Sequence, residues 1–354
     1  MSTRSERHTV SIAFVRAALA NVPGERAQHL LQACGIAPEL LAMDQVRVPA
    51  QSFAALWLAV AQVLDDEFFG LDARRMKVGS FNLLCHAALQ GETVEQALRL
   101  VLRGFGVILD DVAPGLELQG DEAALVTDNR IADAPAHHFA DETLLVMLQA
   151  LLCWLAGRRV PILRVDFASA APAHVAEYRL MFADALRFGQ PRTALWFGAG
   201  VLSARVVPDD ASLKRFLRDA PQSVFLKYRN ETSWTSRLRH RMRHRYTQAT
   251  LQAEDLTIDA LAGECHVSPS TLQRRLEAEG SSFRRLKDEV RRDLAIHLLC
   301  HGTQNLGDIA ATLGFQEASS FHRAFKGWTG VQPGAYRNLR LGDPAGARAA
   351  PVPD

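Results

Sequence analysis

Eight side chains in the last third of the chain have types and spacing suited to contact with nucleic-acid bases, and seven of them can form hydrogen bonds. Gln273 and Arg274 can make bidentate contacts to adenine and guanine, respectively. Arg323 repeats the arginine 49 positions later, whereas Ala318 and Ser319 are small and predict weaker base readout there. The predicted base-contacting set is Ser270, Thr271, Gln273, Arg274, Ala318, Ser319, His322 and Arg323. These residues need a rigid frame that turns them outward.

Two copies of one helix–turn–helix pattern, at 257–280 and 305–330, supply that frame. A shift of 48 positions places the apolar residue Ile258 on Leu306, and past the turn a shift of 49 places Leu276 on Phe325. Apolar residues recurring every three or four positions predict helices that bury one face. Because chance rarely repeats such a pattern, the duplication favours a DNA-reading unit present twice.

The ends and turns of the two copies follow the same logic. Thr257 and Asn305 can each cap a first helix, and Ser268 followed by proline can start a second helix. The turn requires positive φ, for which Gly314 is suited. The first copy carries His266 at the equivalent position, so we expect its turn to cost some stability.

A basic helix of about 18 residues is predicted between the two copies. Such a helix spans roughly 27 Å. Together with the width of each unit, this length suits two recognition helices in successive major grooves, about 34 Å apart. Lysine and arginine give phosphate affinity without sequence information. The predicted phosphate-contacting set is Arg284, Arg285, Lys287, Arg291 and Arg292.

The segment from about residue 234 to residue 337 resembles the DNA-binding domain of the AraC/XylS family of transcription regulators. The resemblance is specific in DIAATLGFQEASSFHRAFKGWTGVQPGAYR (308–337), with its Gly-Phe turn, Phe-x-Arg-x-Phe helix and closing Pro-x-x-Tyr-Arg. It implies that the outward residues above contact bases in double-stranded promoter DNA. It also implies that RNA polymerase is a partner, activation being the usual outcome and repression the less common one.

The organisation of the chain predicts two domains of opposite charge. Residues 1–212 hold 18 Lys+Arg and 24 Asp+Glu, a net −6, whereas residues 213–342 hold 21 and 13, a net +8. A basic half fits a polyanionic partner. We predict an α+β sensor domain at 1–205 and a linker at 206–234. An all-α domain with two helix–turn–helix units and a linking helix follows at 235–338, and a disordered tail at 339–354.

The first domain is predicted to mix helices and strands. Helical periodicity covers 8–20, 24–33, 50–64, 80–90, 93–105 and 136–156. Strands are predicted at 116–119 and 123–127, joined as a hairpin, and at 162–167, 186–188 and 194–197. The apolar run 143–156 is bounded by charges and only about 14 residues long, so we expect a buried helix rather than a membrane span.

This first domain resembles the ligand-binding domain of the AraC-type subgroup that contains ornithine-utilisation regulators. The resemblance rests on KVGSFNLLCHAALQGETVEQALRLVLRGFGVI (77–108) and AEYRLMFADALRFGQPRTALWF (176–197), and covers roughly 22–205. It implies a small-molecule effector and a dimerising module; the segment is too helical for the small cupin-like sugar-binding barrel. Candidate effector-pocket residues are Phe81, Cys85, His86, His138 and Trp154, each with a plain core or surface role as the alternative.

Catalytic and metal-binding functions find little support in the sequence. The five cysteines form no CxxC cluster, which favours a reducing cytoplasm and predicts neither disulfides nor structural zinc. His240 and His244 have a chelating spacing but sit among arginines with no third ligand nearby. We therefore predict no enzyme, cofactor, metal or membrane partner. Two alternatives stay open: a methyl-accepting enzyme fused to the DNA-binding domain, and an N-terminal domain that only dimerises.

Overall fold

The computed structural model describes residues 9–44, 46–219, 234–247, 256–278 and 281–340. An α+β region comes first, and a helical region begins at Trp234. The predicted tail at 339–354 lies almost wholly outside the described residues, as do residues 220–233 of the predicted linker at 206–234. The described part of the linker range contains the helix Asp210–Asp219.

Eight α-helices are described before residue 220. They are α1 Ile12–Leu19, α2 Gly24–Ala33, α3 Ala50–Leu64, α4 Ser80–Ala88, α5 Val94–Ile108, α6 Ala134–Leu155, α7 Val175–Met181 and α8 Asp210–Asp219. Short 3₁₀ helices cover Pro38–Ala42 and Ala199–Val201.

Seven strands are described in the same region. They are β1 Thr9–Ser11, β2 Arg47–Pro49, β3 Val112–Gln119, β4 Glu122–Asn129, β5 Ile162–Asp166, β6 Leu186–Arg187 and β7 Thr193–Gly198. Strands β1 and β2 form an antiparallel pair, and the other five form a sheet in the order β3-β4-β7-β5-β6. Only β5 and β6 run parallel in this sheet. The predicted hairpin is confirmed, because β3 and β4 pair across a tight turn in which Gly120 has positive φ.

Helix α6 is the central core element of this region. From Phe139 onward every residue of the helix is buried, including Asp141 and Glu142. It is long and apolar enough to cross a membrane, but 94% of its most apolar window is buried inside the protein. The expected buried helix is therefore observed.

Seven helices make up the described part of the second region. They are α9 Trp234–Thr247, α10 Ile258–Glu264, α11 Pro269–Ala278, α12 Phe283–His301, α13 Leu306–Thr312, α14 Ala318–Thr329 and α15 Pro333–Arg340. Helices α10 and α11 form the first helix–turn–helix unit, α13 and α14 form the second, and α12 connects them. Helix α9 packs against α12.

The main sequence errors concern short elements. The predicted helix at 8–20 begins only at Ile12, because Thr9–Ser11 pairs with Arg47–Pro49 as a strand. Helix α7 and both strands of that pair were not predicted. Seven residues or fewer give little periodicity, and the partners of β1 lie almost forty residues away.

Candidate nucleic-acid interface and its attachment to the first domain

The two helix–turn–helix units fold locally as their sequences predict. The Thr257 hydroxyl accepts a hydrogen bond from the Ala260 amide at 3.2 Å, and Asn305 accepts one from the Asp308 amide at 2.9 Å. His266 has φ of 55° and the equivalent Gly314 has φ of 71°. The histidine therefore occupies the left-handed region that disfavours a side chain.

The inner faces of both units are buried at the equivalent positions. Leu272 and Leu276 of α11 are completely buried, as are Phe321 and Phe325 of α14. In the second unit Phe315 packs between the helices, with its ring 5.7 Å from that of Phe321. This shared core fixes which side of each second helix faces outward.

The predicted base-contacting residues lie mainly on that outward side. In the first unit Ser270, Gln273 and Arg274 are exposed, and Thr271 is half-buried with its hydroxyl 2.8 Å from Ser268 Oγ. Gln273 contacts Glu277 at 3.3 Å along the same exposed face. These side chains are available to a duplex docked against α11.

The second unit presents a less polar outward face. Ala318, Ser319 and Arg323 are exposed, whereas His322 is half-buried with its ring 5.9 Å from the Phe321 ring. The Arg323 guanidinium lies 3.4 Å from Ser320 Oγ. Arginine is thus presented at corresponding positions of both units.

Two cations of the predicted phosphate set, Lys287 and Arg291, donate hydrogen bonds to groups inside the domain. Lys287 Nζ donates to the Leu256 carbonyl at 3.0 Å, just before the first unit. Burial and the nearby Arg291 charge lower the pKa of Lys287. One turn along α12, Arg291 donates to the Tyr246 hydroxyl at 2.9 Å and to the Gly314 carbonyl at 3.1 Å. Lys287 and Arg291 therefore hold the two units against the connecting helix, and their phosphate role stays a prediction.

The other three members of that set face the junction between the two regions. Arg292 lies 3.3 Å from the buried carboxylate of Asp293. Arg284 and Arg285 are exposed, but they line a cavity of about 430 Å³ together with Arg47 and Glu177 of the first region. Their phosphate role stays a prediction.

Several arginines of α9 are likewise paired with acids. Arg239 is buried and contacts Glu289, and Arg243 donates to Asp293 at 3.1 Å. Arg241 lies 3.5 Å from Glu264. These three arginines therefore help to hold the helices of this region together.

A buried polar cluster joins the two regions, and we call it the clasp: Thr9, Arg47, Glu177, Asp293 and Tyr336. The Thr9 hydroxyl donates to Asp293 at 2.8 Å, and Arg47 Nε lies 3.6 Å from the same carboxylate. Arg47 also makes a two-pronged contact with Glu177, with one prong at 3.0 Å. The residues Arg47, Glu177 and Asp293 are each at most 6% exposed.

The charges of the clasp are held in their ionised forms. Burial alone would raise the pKa of Asp293, but Arg292, Arg47 and Arg243 together hold it well below its usual range. Burial alone would lower the pKa of Arg47, but Glu177 and Asp293 raise it above its usual value. Removing one partner would leave an uncompensated buried charge, which is strongly destabilising.

Tyr336 connects the clasp to the second unit. Its hydroxyl donates to the Arg47 carbonyl at 2.7 Å, and its ring lies 5.5 Å from the buried Phe325 ring of α14. The sequence singled out the Pro-x-x-Tyr-Arg motif only as a family signature. In the structure this tyrosine links the core of a candidate recognition helix to the first region.

The candidate effector-pocket residues are not brought together at one place. Phe81 and Trp154 both lie against Phe216 of α8, and the Trp154 ring stacks on it at 4.9 Å. Cys85 is fully buried, and His86 is exposed on α4. His138 belongs to a separate polar cluster around Glu142. Phe81 and Trp154 therefore lie close enough to share one pocket, and that shared pocket stays a prediction.

The described thiols are poorly placed for methyl transfer. Burial raises the pKa values of Cys34, Cys85 and Cys153, which holds all three in the less reactive thiol form.

Comparison with known proteins matches both regions. The model for the arabinose-binding domain of AraC transcription regulators covers residues 24–206, and a helix-turn-helix domain covers 261–339. The ornithine utilization regulator of Pseudomonas aeruginosa is 27% identical over 93% of this chain and 96% of its own length. The regulator VirS of Mycobacterium tuberculosis is 38% identical over 22% of this chain and 23% of its own length.

Among solved structures, the transcriptional regulator CdpR from Pseudomonas aeruginosa aligns with 96% of this chain and 100% of its own, at 18% identity and a TM-score of 0.29. The first matched model spans more than half of the chain, and a curated relative is similar along nearly its whole length. The chain therefore belongs to the AraC family of transcription regulators, with an N-terminal ligand-binding domain and a C-terminal helix-turn-helix DNA-binding domain.

Proposed function

We propose that this protein is a one-component activator that couples a small-molecule effector to promoter recognition in the cytoplasm. It binds double-stranded DNA through the outward faces of α11 and α14 and recruits RNA polymerase. The observation that supports this most is the pair of recognition helices, each with a buried apolar face and an exposed arginine at the equivalent position.

We infer that the clasp transmits the effector signal. It joins the strand pair and α7 of the first region to α12 and α15 of the second through buried charges. An effector that binds one arrangement of the clasp more tightly shifts the population towards that arrangement. The chain acts as a homodimer, in which the effector alters how the two DNA-binding domains are presented.

The experiment that tests DNA reading is a selection from randomised duplexes with the full chain, followed by affinity measurements on the selected site. Arg274→Ala is expected to cost about 1–3 kcal/mol on that site and to relax the preference at one base pair. Arg103→Ala, an exposed arginine on α5, is the matched control and should leave affinity unchanged. Equal losses on selected and random DNA would reduce Arg274 to a phosphate contact.

Two alternatives are separated by further measurements. A purely dimerising N-terminal domain gives no thermal shift with any metabolite, whereas a ligand at 100 times its dissociation constant adds about 2.7 kcal/mol of stability. A methyl-accepting protein would gain one methyl group on a cysteine, detectable by mass spectrometry. The raised thiol pKa values weigh against that second reading.

A further inference from the structure

Two imidazoles and one carboxylate converge beside helix α6, away from the DNA-binding helices. His138 and Glu142 lie one turn apart on α6, and His174 immediately precedes α7. His138 Nε2 lies 3.4 Å from Glu142 Oε1, and His174 Nε2 lies 3.3 Å from the same oxygen. All three ligand atoms lie within 4.8 Å of one another.

These separations fit the edges of a small coordination tetrahedron. Zinc bonds to imidazole nitrogen and carboxylate oxygen at about 2.0–2.2 Å, so neighbouring ligand atoms in a tetrahedron lie roughly 3.3–3.5 Å apart. The two measured separations fall within this range. Two nitrogen donors and one carboxylate suit zinc and its d-block neighbours, whereas magnesium and calcium prefer oxygen donors alone.

The surroundings orient the three side chains. His138 Nδ1 contacts Ser169 Oγ, so the ring nitrogen opposite the cluster has a hydrogen-bond partner. The Tyr178 hydroxyl donates to Glu142 Oε1 and also contacts His138 Nε2, so the contact to this nitrogen is replaced when an ion binds there. The Ser169 contact, at the other ring nitrogen, is of the kind that fixes the tautomer and direction of a metal ligand.

Charge and access also favour a cation. Glu142 is only 3% exposed, and its Oε1 faces both His138 Nε2 and His174 Nε2. Buried carboxylates in proteins are paired with a positive charge or coordinate a metal ion. The imidazole side chains of His138 and His174 are 15% and 21% exposed, which leaves the cluster a route to solvent.

We propose that His138, Glu142 and His174 bind one divalent d-block ion of the zinc type. Tyr178 orients the carboxylate, and the fourth position is open to water or to an effector atom. The sequence predicts no metal site because only two of the three ligands, His138 and Glu142, are near each other in the chain. The third ligand here comes from a segment 32 residues beyond Glu142.

The site is also positioned to act on the clasp. His174 occupies the N-cap position of α7 and lies three positions before Glu177, which contacts Arg47 of the clasp. Ion binding that fixes His174 would therefore fix the end of the helix from which Glu177 reaches Arg47. This coupling rests on the proposed function, whereas the metal site does not.

The binding test uses the full chain, stripped with a chelator and titrated with zinc by calorimetry. The expected result is one equivalent of bound zinc and, with cobalt(II), the visible absorption bands of a four-coordinate site. His138→Ala and His174→Gln should each abolish stoichiometric binding, and Ser169→Ala should weaken it about 10- to 100-fold. His86→Ala and His240→Ala, which remove exposed histidines elsewhere, should change nothing.

Circular dichroism of the metal-free variants confirms that each is folded. His174→Gln serves where His174→Ala would leave a hole against Phe14, whose ring lies 5.2 Å away. Full zinc binding by a folded His138→Ala, His174→Gln double variant would overturn the site, as would the absence of one equivalent in the unmodified chain.

The coupling is tested by measuring affinity for the selected duplex with and without zinc. A zinc-dependent change that disappears in His174→Gln supports it, and equal affinities in a protein that has bound zinc overturn it. A chain that binds zinc but no DNA sequence would overturn the proposed function and the coupling while leaving the metal site standing.

Discussion

The two helix–turn–helix units share one buried core but differ in what they present and in how they are held. The first unit exposes Gln273 and Arg274 and has a histidine in its turn. The second unit exposes small residues, has a glycine in its turn, and is tied through Tyr336 to the first domain. This difference supports the proposal that the first unit supplies most of the base readout and that the effector domain acts on the attachment of the second unit.

The largest expected effect comes from removing the negative charge of Asp293, which holds the connecting helix α12 to the first domain. Asp293→Asn should cost about 3–5 kcal/mol of unfolding free energy, because the buried guanidinium of Arg47 loses a partner. Urea denaturation measures this loss. Asp259→Asn, an exposed acid in the first turn of α10, should cost less than about 1 kcal/mol.

This anchor also has a defined pH dependence. Since folding lowers the pKa of Asp293, its stabilisation is fully present above the unfolded value of about 3.9 and is lost as pH falls towards the folded value. The difference in unfolding free energy between the unmodified chain and Asp293→Asn should therefore stay constant from pH 5 to 8 and shrink below about pH 4. A difference that disappears near neutrality would contradict this assignment.

A smaller effect is expected where the connecting helix holds the turn of the second unit. Arg291→Ala removes hydrogen bonds to Tyr246 and to the Gly314 carbonyl, and should cost about 1.5–3 kcal/mol of stability. The salt dependence of DNA binding should not change. Arg284→Ala, on the exposed side of the same helix, is the control for stability. If the dependence of DNA affinity on salt became shallower by about one unit while stability stayed intact, Arg291 would instead be a phosphate contact.

The link between the second unit and the first domain can be weakened without disturbing the core of the second unit. Tyr336→Phe keeps the ring against Phe325 but removes the donor to the Arg47 carbonyl, at a cost of about 0.5–1.5 kcal/mol. Hydrogen exchange in the full chain should show faster exchange of the amides of α15. Tyr246→Phe removes a hydrogen bond within the DNA-binding domain only, and should leave α15 protected.

The smallest effect concerns the turns themselves. His266→Gly should stabilise the first unit by about 0.5 kcal/mol, because relief of a positive φ outweighs the added entropy of the unfolded chain. Gly314→Ala should act in the opposite direction in the second unit. Thermal unfolding measures both variants, and shifts of the same sign would show that the two turns are not equivalent.

Sequence reasoning predicted what is local and missed what is distant. The caps at Thr257 and Asn305 and the buried stripe of each unit depend on neighbours within a few residues, so periodicity and residue type suffice. The clasp joins Thr9 to Asp293 across 284 positions, and a single sequence gives no sign of that pairing. The sequence also does not separate the roles of the α12 cations, because an arginine on a helix has the same sequence signature whether it faces phosphate or a neighbouring carbonyl.

Because Lys287 secures the entry to the first unit and Arg291 secures the turn of the second, both recognition helices are fastened to one 19-residue rod. Because this helix is rigid, the two recognition helices cannot adjust when the spacing between their two DNA segments changes. Inserting about five base pairs, half a helical repeat, between the two contacted segments turns one of them to the far side of the duplex. Affinity should then fall to that of a single unit and recover only poorly when a full repeat is inserted, in contrast to regulators whose reading heads are joined by a flexible tether.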